Sequence, residues 1–121
     1  MARILIVDDF RNIRETLKDI FIDAGHTVVG EAANGADGVE QYKLLRPDIT
    51  TMDIVMPVMH GLEALQHIRE FDPDAKVIML SSSTYSGNIS TAYALGAVDF
   101  LSKPVDKERV LEAVALIMSA W

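Results

Sequence analysis

Five short apolar runs alternate with five stretches in which apolar residues recur at helical spacing. The runs span 3–7, 27–32, 48–52, 76–80 and 98–101. Their brevity and β-branched content predict strands. The first and fourth are apolar nearly throughout, as expected of strands covered on both faces. Between them the period lengthens. Ile13, Leu17, Ile20, Phe21 and Ala24 form one stripe, with Arg14, Glu15, Lys18 and Asp19 off it. Gly25 stands where such a helix should stop. Further helices are predicted over 36–45, 62–71 and about 88–95. In a last helix Val110, Leu111, Val114, Ile117 and Met118 make the stripe, and Asp106 can cap its start. Strand–helix alternation throughout implies a parallel sheet with helices on both faces, whose site lies beyond the carboxyl ends of the strands where strand order reverses.

That edge collects polar groups. The first strand runs into Asp8 and Asp9, the third into Asp53, the fourth into Ser81, and the fifth is followed by Lys103 and Pro104. Two carboxylates about 4 Å apart repel by about 4 kcal/mol at an effective dielectric near 20. Three together need compensation, or their pKa values rise. A hard divalent ion supplies it, and Mg²⁺ takes a few carboxylates while keeping positions for water or phosphate. A lysine beside such an ion faces negative charge on an incoming group, and a carboxylate can itself be the nucleophile. Asp53, alone at its strand end opposite the pair, is the best placed nucleophile. Each residue has a plainer reading. The acid pair could be a solvated strand end or a helix cap, Asp53 a turn residue before Pro57, and Lys103 a surface lysine. Ser81 competes with Ser82, Ser83 and Thr84, which could be only a polar loop. Met52, Met56 and Met59 read as packing. His26, His60 and His67 read as surface residues, and Phe10 as a cover for the site or a partner contact.

Composition narrows the choice. With 18 acidic against 11 basic residues and a formal net charge of −7, the chain is unsuited to non-specific nucleic-acid binding. No cysteine is present, so disulfides and thiolate metal sites are excluded, which fits the cytoplasm. No signal peptide, membrane-spanning run or repeat is visible. At 121 residues, half of them apolar, the expectation is a single domain over 1–121.

The pieces "ILIVDD", "PDITTMDIVMPVMHG", "VIMLSS" and "GAVDFLSKP", in this order and spacing, resemble the response-regulator receiver domain, the CheY-like family of two-component signalling. The resemblance covers essentially the whole chain. It implies a doubly wound, flavodoxin-like (βα)5 α/β sandwich with five parallel strands in the order 2-1-3-4-5. It implies that Asp53 accepts a phosphoryl group from a histidine kinase or phosphotransfer protein. It implies that Asp9, Asp53 and the Val55 carbonyl bind Mg²⁺ while Asp8 acts through metal-bound water. Lys103 would pair with phosphoryl oxygens and precede a cis-proline. Ser81 would bond the phosphoryl group while Phe100 swings inward. The fourth helix, fifth strand and fifth helix (87–101 and 107–120) would be read by a downstream protein, with Tyr93 and Lys107 as contacts, the chain being a monomer or a phosphorylation-dependent dimer. His60 departs from the Asp or Asn frequent there. "SSSTYSG" and "TMDIVMP" resemble chemotaxis receivers, the first those of methylesterases. The chain would be a stand-alone or excised switch rather than an enzyme acting on a separate metabolite. Two alternatives are an Asp-nucleophile phosphohydrolase, which wants a second acid at Val55, and a flavodoxin-like FMN binder, whose phosphate loop should not open with two acids.

Overall fold

The computed structural model describes residues 1–82 and 86–120. Five strands, β1 (Arg3–Val7), β2 (Thr27–Ala32), β3 (Ile49–Asp53), β4 (Val77–Ser81) and β5 (Asp99–Ser102), alternate with α1 (Arg11–Asp23), α2 (Gly35–Leu45), α3 (Gly61–Phe71), α4 (Ser86–Ala94) and α5 (Lys107–Ala120). All strand pairs are parallel, in the order β2-β1-β3-β4-β5. Strand order reverses between β1 and β3, so their carboxyl ends flank the crevice where such folds place their sites.

The alternation of side chains along each strand divides the core in two. Leu5, Val7, Met52, Val77 and Met79 pack under Val39, Tyr42, Ala64, Leu65 and Ile68 of α2 and α3. Ile4, Ile6, Ile78, Leu80 and Leu101 pack under Leu17 and Phe21 of α1 and Val110, Val114 and Ile117 of α5. Ile4 to Val7 and the whole of β4 are buried, as strands covered on both faces must be. Each large side chain so buried contributes roughly 1.5–3 kcal/mol, before the entropy of ordering it is subtracted. Glycine ends α1 as expected: Gly25 takes φ +89°, and its N–H bonds the Ile22 carbonyl.

The last three strands each begin one residue later than the apolar pattern suggests and extend one residue further. Asp48 is not a strand residue. Its carboxylate accepts from the Arg3 N–H at 2.8 Å and closes the start of the β1–β3 pair. The shift has a consequence at the other end. Asp53 and Ser81 are the final paired residues of their strands, opposite Leu80 and Ser102, and so are held by the sheet.

Candidate functional site

β1 and β3 bring Asp8, Asp9 and Asp53 together. Each offers a carboxylate oxygen within 4.8 Å of the others. Asp8 and Asp53 are buried, at 1% and 5% exposure. Lys103 reaches in from the turn after β5. Its Nζ lies 2.7 Å from Asp8 Oδ2 and 3.3 Å from Asp53 Oδ1, and the Lys103–Pro104 bond is cis. The acid pair is therefore neither a solvated strand end nor the cap of α1, whose N-cap is Phe10.

The three acids are treated unequally. Asp8 is tied down at every polar atom. Its N–H donates to the Ala32 carbonyl and its own carbonyl accepts from Arg14 Nη1 at 2.7 Å. Oδ1 accepts from the Phe10 N–H and Oδ2 from Lys103. Asp53 Oδ1 accepts from the Ile54 N–H at 2.8 Å. Burial, followed by the charge of Asp8, pushes the Asp53 carboxyl up to about 6 from its ordinary 3.8, against the opposing pull of Lys103 and the Ile54 N–H. Asp9 Oδ1 is buried, with no hydrogen-bond partner among the described residues. A carboxylate oxygen in that state is costly, and a cation is the partner that would relieve it. Lys103 is paired with Asp8 and Asp53, and among the described residues no cation is paired with the Asp9 carboxylate, so the cluster is short of positive charge. The oxygen-only donor set and the orphaned Asp9 oxygen both fit a hard divalent ion.

The β3–α3 loop is pinned close by. Gly61 donates its N–H to the Ile54 carbonyl at 2.7 Å, and any Cβ there would sit on the Asp53 carbonyl oxygen. Met59 is bound through its carbonyl to the Gly35 N–H at the start of α2. Between these anchors Val58 takes φ +68°, with the Met59 N–H bonded back to the Pro57 carbonyl. This tight turn is uncommon for a β-branched residue. Val55 is 73% exposed on this loop. His60 is no idle surface histidine: its Nδ1 faces the Glu63 N–H at 3.5 Å as the N-cap of α3.

Ser81 is buried at the end of β4. Its competitors Ser83 and Thr84, with Tyr85, lie outside the described residues, and Ser82 is exposed. Phe100 is half-buried against the core on the α3–α4 side of the sheet. Tyr93 is exposed, its hydroxyl 3.4 Å from Asp99 Oδ1. Arg109 of α5 also bonds Asp99, and Lys107 is exposed at the start of the same helix. Phe10 is 59% exposed, its ring centroid 5.9 Å from Lys103 Nζ. Periodicity alone places Arg14 on the polar face of α1, and nothing in the sequence marks it out except its position five residues after the acid pair. The structure turns it back across the strand ends, between Asp8 and Glu31.

Residues 4–115 match the family model described as the response regulator receiver domain. The chain is 48% identical over 112 residues to the chemotaxis protein CheY of Thermotoga maritima, covering 93% of each. Its fold matches CheY in the CheX–CheY–BeF3–Mg²⁺ complex from Borrelia burgdorferi with a TM-score of 0.93, at 36% identity and covering 96% of this chain and 88% of that one. It matches the response regulator domain of Thermotoga maritima CheB with a TM-score of 0.91, at 36% identity and covering 98% and 97%.

Proposed function

Because the chain belongs to the response regulator receiver domain family, we propose that Asp53 is its phosphoacceptor and that Asp8, Asp9, Asp53 and the Val55 carbonyl make up its Mg²⁺ site. The donor is a phosphohistidine on a kinase or phosphotransfer protein, and the recipient of the signal is a second protein, in chemotaxis on the strength of the CheY relatives. The observation that carries this is the meeting of three carboxylates with Lys103 at one strand edge, one acid oxygen being buried without a partner among the described residues.

Asp53 Oδ2 is the nucleophile, because Oδ1 is engaged by Lys103 and the Ile54 N–H. It attacks phosphorus as the phosphorus–nitrogen bond breaks, and the electron pair leaves with the imidazole. A bound Mg²⁺ supplies neutralisation of the charge on the transferring group. Lys103 exchanges part of its contact with Asp53 for the phosphoryl oxygens. Ser81, at the adjacent strand end, donates its hydroxyl to the product. The buried setting keeps these charges weakly screened, which strengthens each contact. The phosphoryl group then favours one of two arrangements of the α4–β5–α5 face, with Phe100 turning further inward, by its differential contacts with each. Near-complete switching needs about 5 kcal/mol of preference, within reach of a few charge-assisted hydrogen bonds.

The test is incubation with acetyl phosphate and Mg²⁺, followed by borohydride trapping of the acyl phosphate. Label is expected at Asp53 alone, and Asp53→Asn should reduce it at least about a hundredfold. Equal labelling of that variant, or label on another carboxylate of the wild type, overturns the assignment.

A further inference from the structure

The two acids of the pair carry different burdens, and the residue that separates their roles lies outside the acid cluster. The Asp8 carbonyl belongs to the peptide group that links it to Asp9, so whatever fixes that carbonyl fixes the plane from which the Asp9 side chain departs. The group that fixes it is the Arg14 guanidinium, through Nη1 at 2.7 Å. Arg14 is itself steered from outside. Its Nε meets Glu31 Oε1 at 3.3 Å, and the other Glu31 oxygen is held by Lys18 Nζ at 2.7 Å. The Arg14 side chain is 17% exposed and Glu31 30%, so this is a partly buried contact between α1, the end of β1 and β2. On the other side the Asp8 N–H is bonded to Ala32. Asp8 is thus held at its N–H by Ala32 and at its carbonyl, the half of the peptide leading to Asp9, by Arg14, while Asp9 Oδ1 is left without a partner among the described residues.

We propose that Arg14 is a positioning residue for the cation site: by holding the Asp8 carbonyl it aims the unpartnered Asp9 carboxylate into the cluster. This rests on the Mg²⁺ reading given above. The planar fork of arginine suits the task, because it can bond a carbonyl and a carboxylate in fixed relative geometry, which an ammonium cannot do.

The inference makes a prediction of opposite sign to simple electrostatics. A bystander cation beside a metal site repels the metal, so its removal should tighten Mg²⁺ binding. A positioning residue, once removed, should loosen it. Groups that orient ligands from behind typically account for 10–100-fold in metal affinity. The experiment is a Mg²⁺ titration of the whole chain, followed by amide shifts, for the wild type, Arg14→Gln, Arg14→Met, Arg14→Lys and Asp9→Asn. Thermal melts verify folding, and the Met variant preserves side-chain bulk should the Gln variant fold poorly. Expected are about a tenfold loss of affinity in the Gln and Met variants, partial rescue in the Lys variant, and a shifted metal-free Asp9 amide nitrogen, which shares the peptide group with the released carbonyl. Unchanged or tighter binding in Arg14→Gln, with wild-type binding intact and Asp9→Asn impaired, overturns the inference alone. Absence of Mg²⁺ binding in the wild type overturns both it and the metal reading.

Discussion

The two edges of the sheet use charge in opposite ways. At the amino-terminal edge several polar groups are paired within the protein. Arg3 bonds the Leu45 and Arg46 carbonyls while its N–H meets Asp48. The Ala2 N–H donates to His26 Nδ1, and the Tyr42 hydroxyl to Asp72 at 2.7 Å. At the carboxyl edge three acids meet, and Lys103 is paired with two of them, Asp8 and Asp53. Asp53 is pushed up to about 6, and Asp9 has a buried oxygen without a partner among the described residues. The charged and phenolic groups just named at the first edge are paired, and they contribute stability. The second is left incomplete, and an incomplete site is one whose energy changes when a cation or a phosphoryl group arrives. A protein that must respond to those groups cannot also satisfy the edge from within.

The sharpest way to break this contrast is to remove Lys103, the ammonium that Asp8 and Asp53 share. Lys103→Met should destabilise the metal-free protein by about 3 kcal/mol at pH 7.5, since removing one member of a buried ion pair strands the other. Chemical denaturation measures it. Millimolar Mg²⁺ should restore more stability to this variant than to the wild type, because the cation replaces the missing charge. A loss below about 0.5 kcal/mol would mean that the acids are already compensated and the edge is not short of positive charge.

Asp53→Asn should act in the opposite direction. A carboxyl whose folded pKa lies above its unfolded value holds its proton more tightly when folded. Its ionisation therefore penalises the folded state fully above about 6, and the penalty disappears as pH falls toward 3.8. In metal-free buffer the wild type should gain stability between pH 7.5 and 5 from this group, and Asp53→Asn should abolish that gain. At pH 7.5 the variant should be the more stable by roughly 2 kcal/mol, somewhat less than the full shift would give at 1.36 kcal/mol per unit. Denaturation midpoints across that pH range decide it, and parallel profiles for the two proteins would refute it.

Much of this was legible before the structure, for identifiable reasons. Element types and order followed from the change of period between runs such as Ile4–Val7 and stripes such as Leu17–Phe21, which depend on local patterning. The polar residues at strand ends were legible because parallel strands must all deliver them to one edge. The strand boundaries were off by one at β3, β4 and β5, because a polar residue at a strand end, Asp48 or Asp53, looks the same in sequence whether or not its backbone is paired. Arg14 and the cap at His60 were illegible for another reason. Both depend on where a long or polar side chain turns in three dimensions, to the Asp8 carbonyl or the Glu63 N–H, and an exposed-face position in the period says nothing of that.

The smallest expected effect comes from the amino-terminal edge and serves as the control. Tyr42→Phe removes a single hydroxyl that donates to Asp72, while the ring keeps its edge-on contact with Phe71. Asp72 is partly exposed and can take water instead, so the loss should be about 1 kcal/mol rather than the larger cost of a stranded buried group. Its pH dependence should also run opposite to that of Asp53. The Tyr42 hydroxyl holds the Asp72 carboxyl below its ordinary value of 3.8, so its contribution is present above that pH and is lost as pH falls through the lowered folded value. The variant should therefore lose stability at pH 7, converge toward the wild type in the acid limb below about pH 4, and show no response to Mg²⁺ different from that of the wild type. Melting curves at pH 7 and pH 3, with and without Mg²⁺, read all three. A Mg²⁺-dependent difference would mean that the two edges are coupled through α2 and α3, and the division between a completed edge and a responsive one would fail.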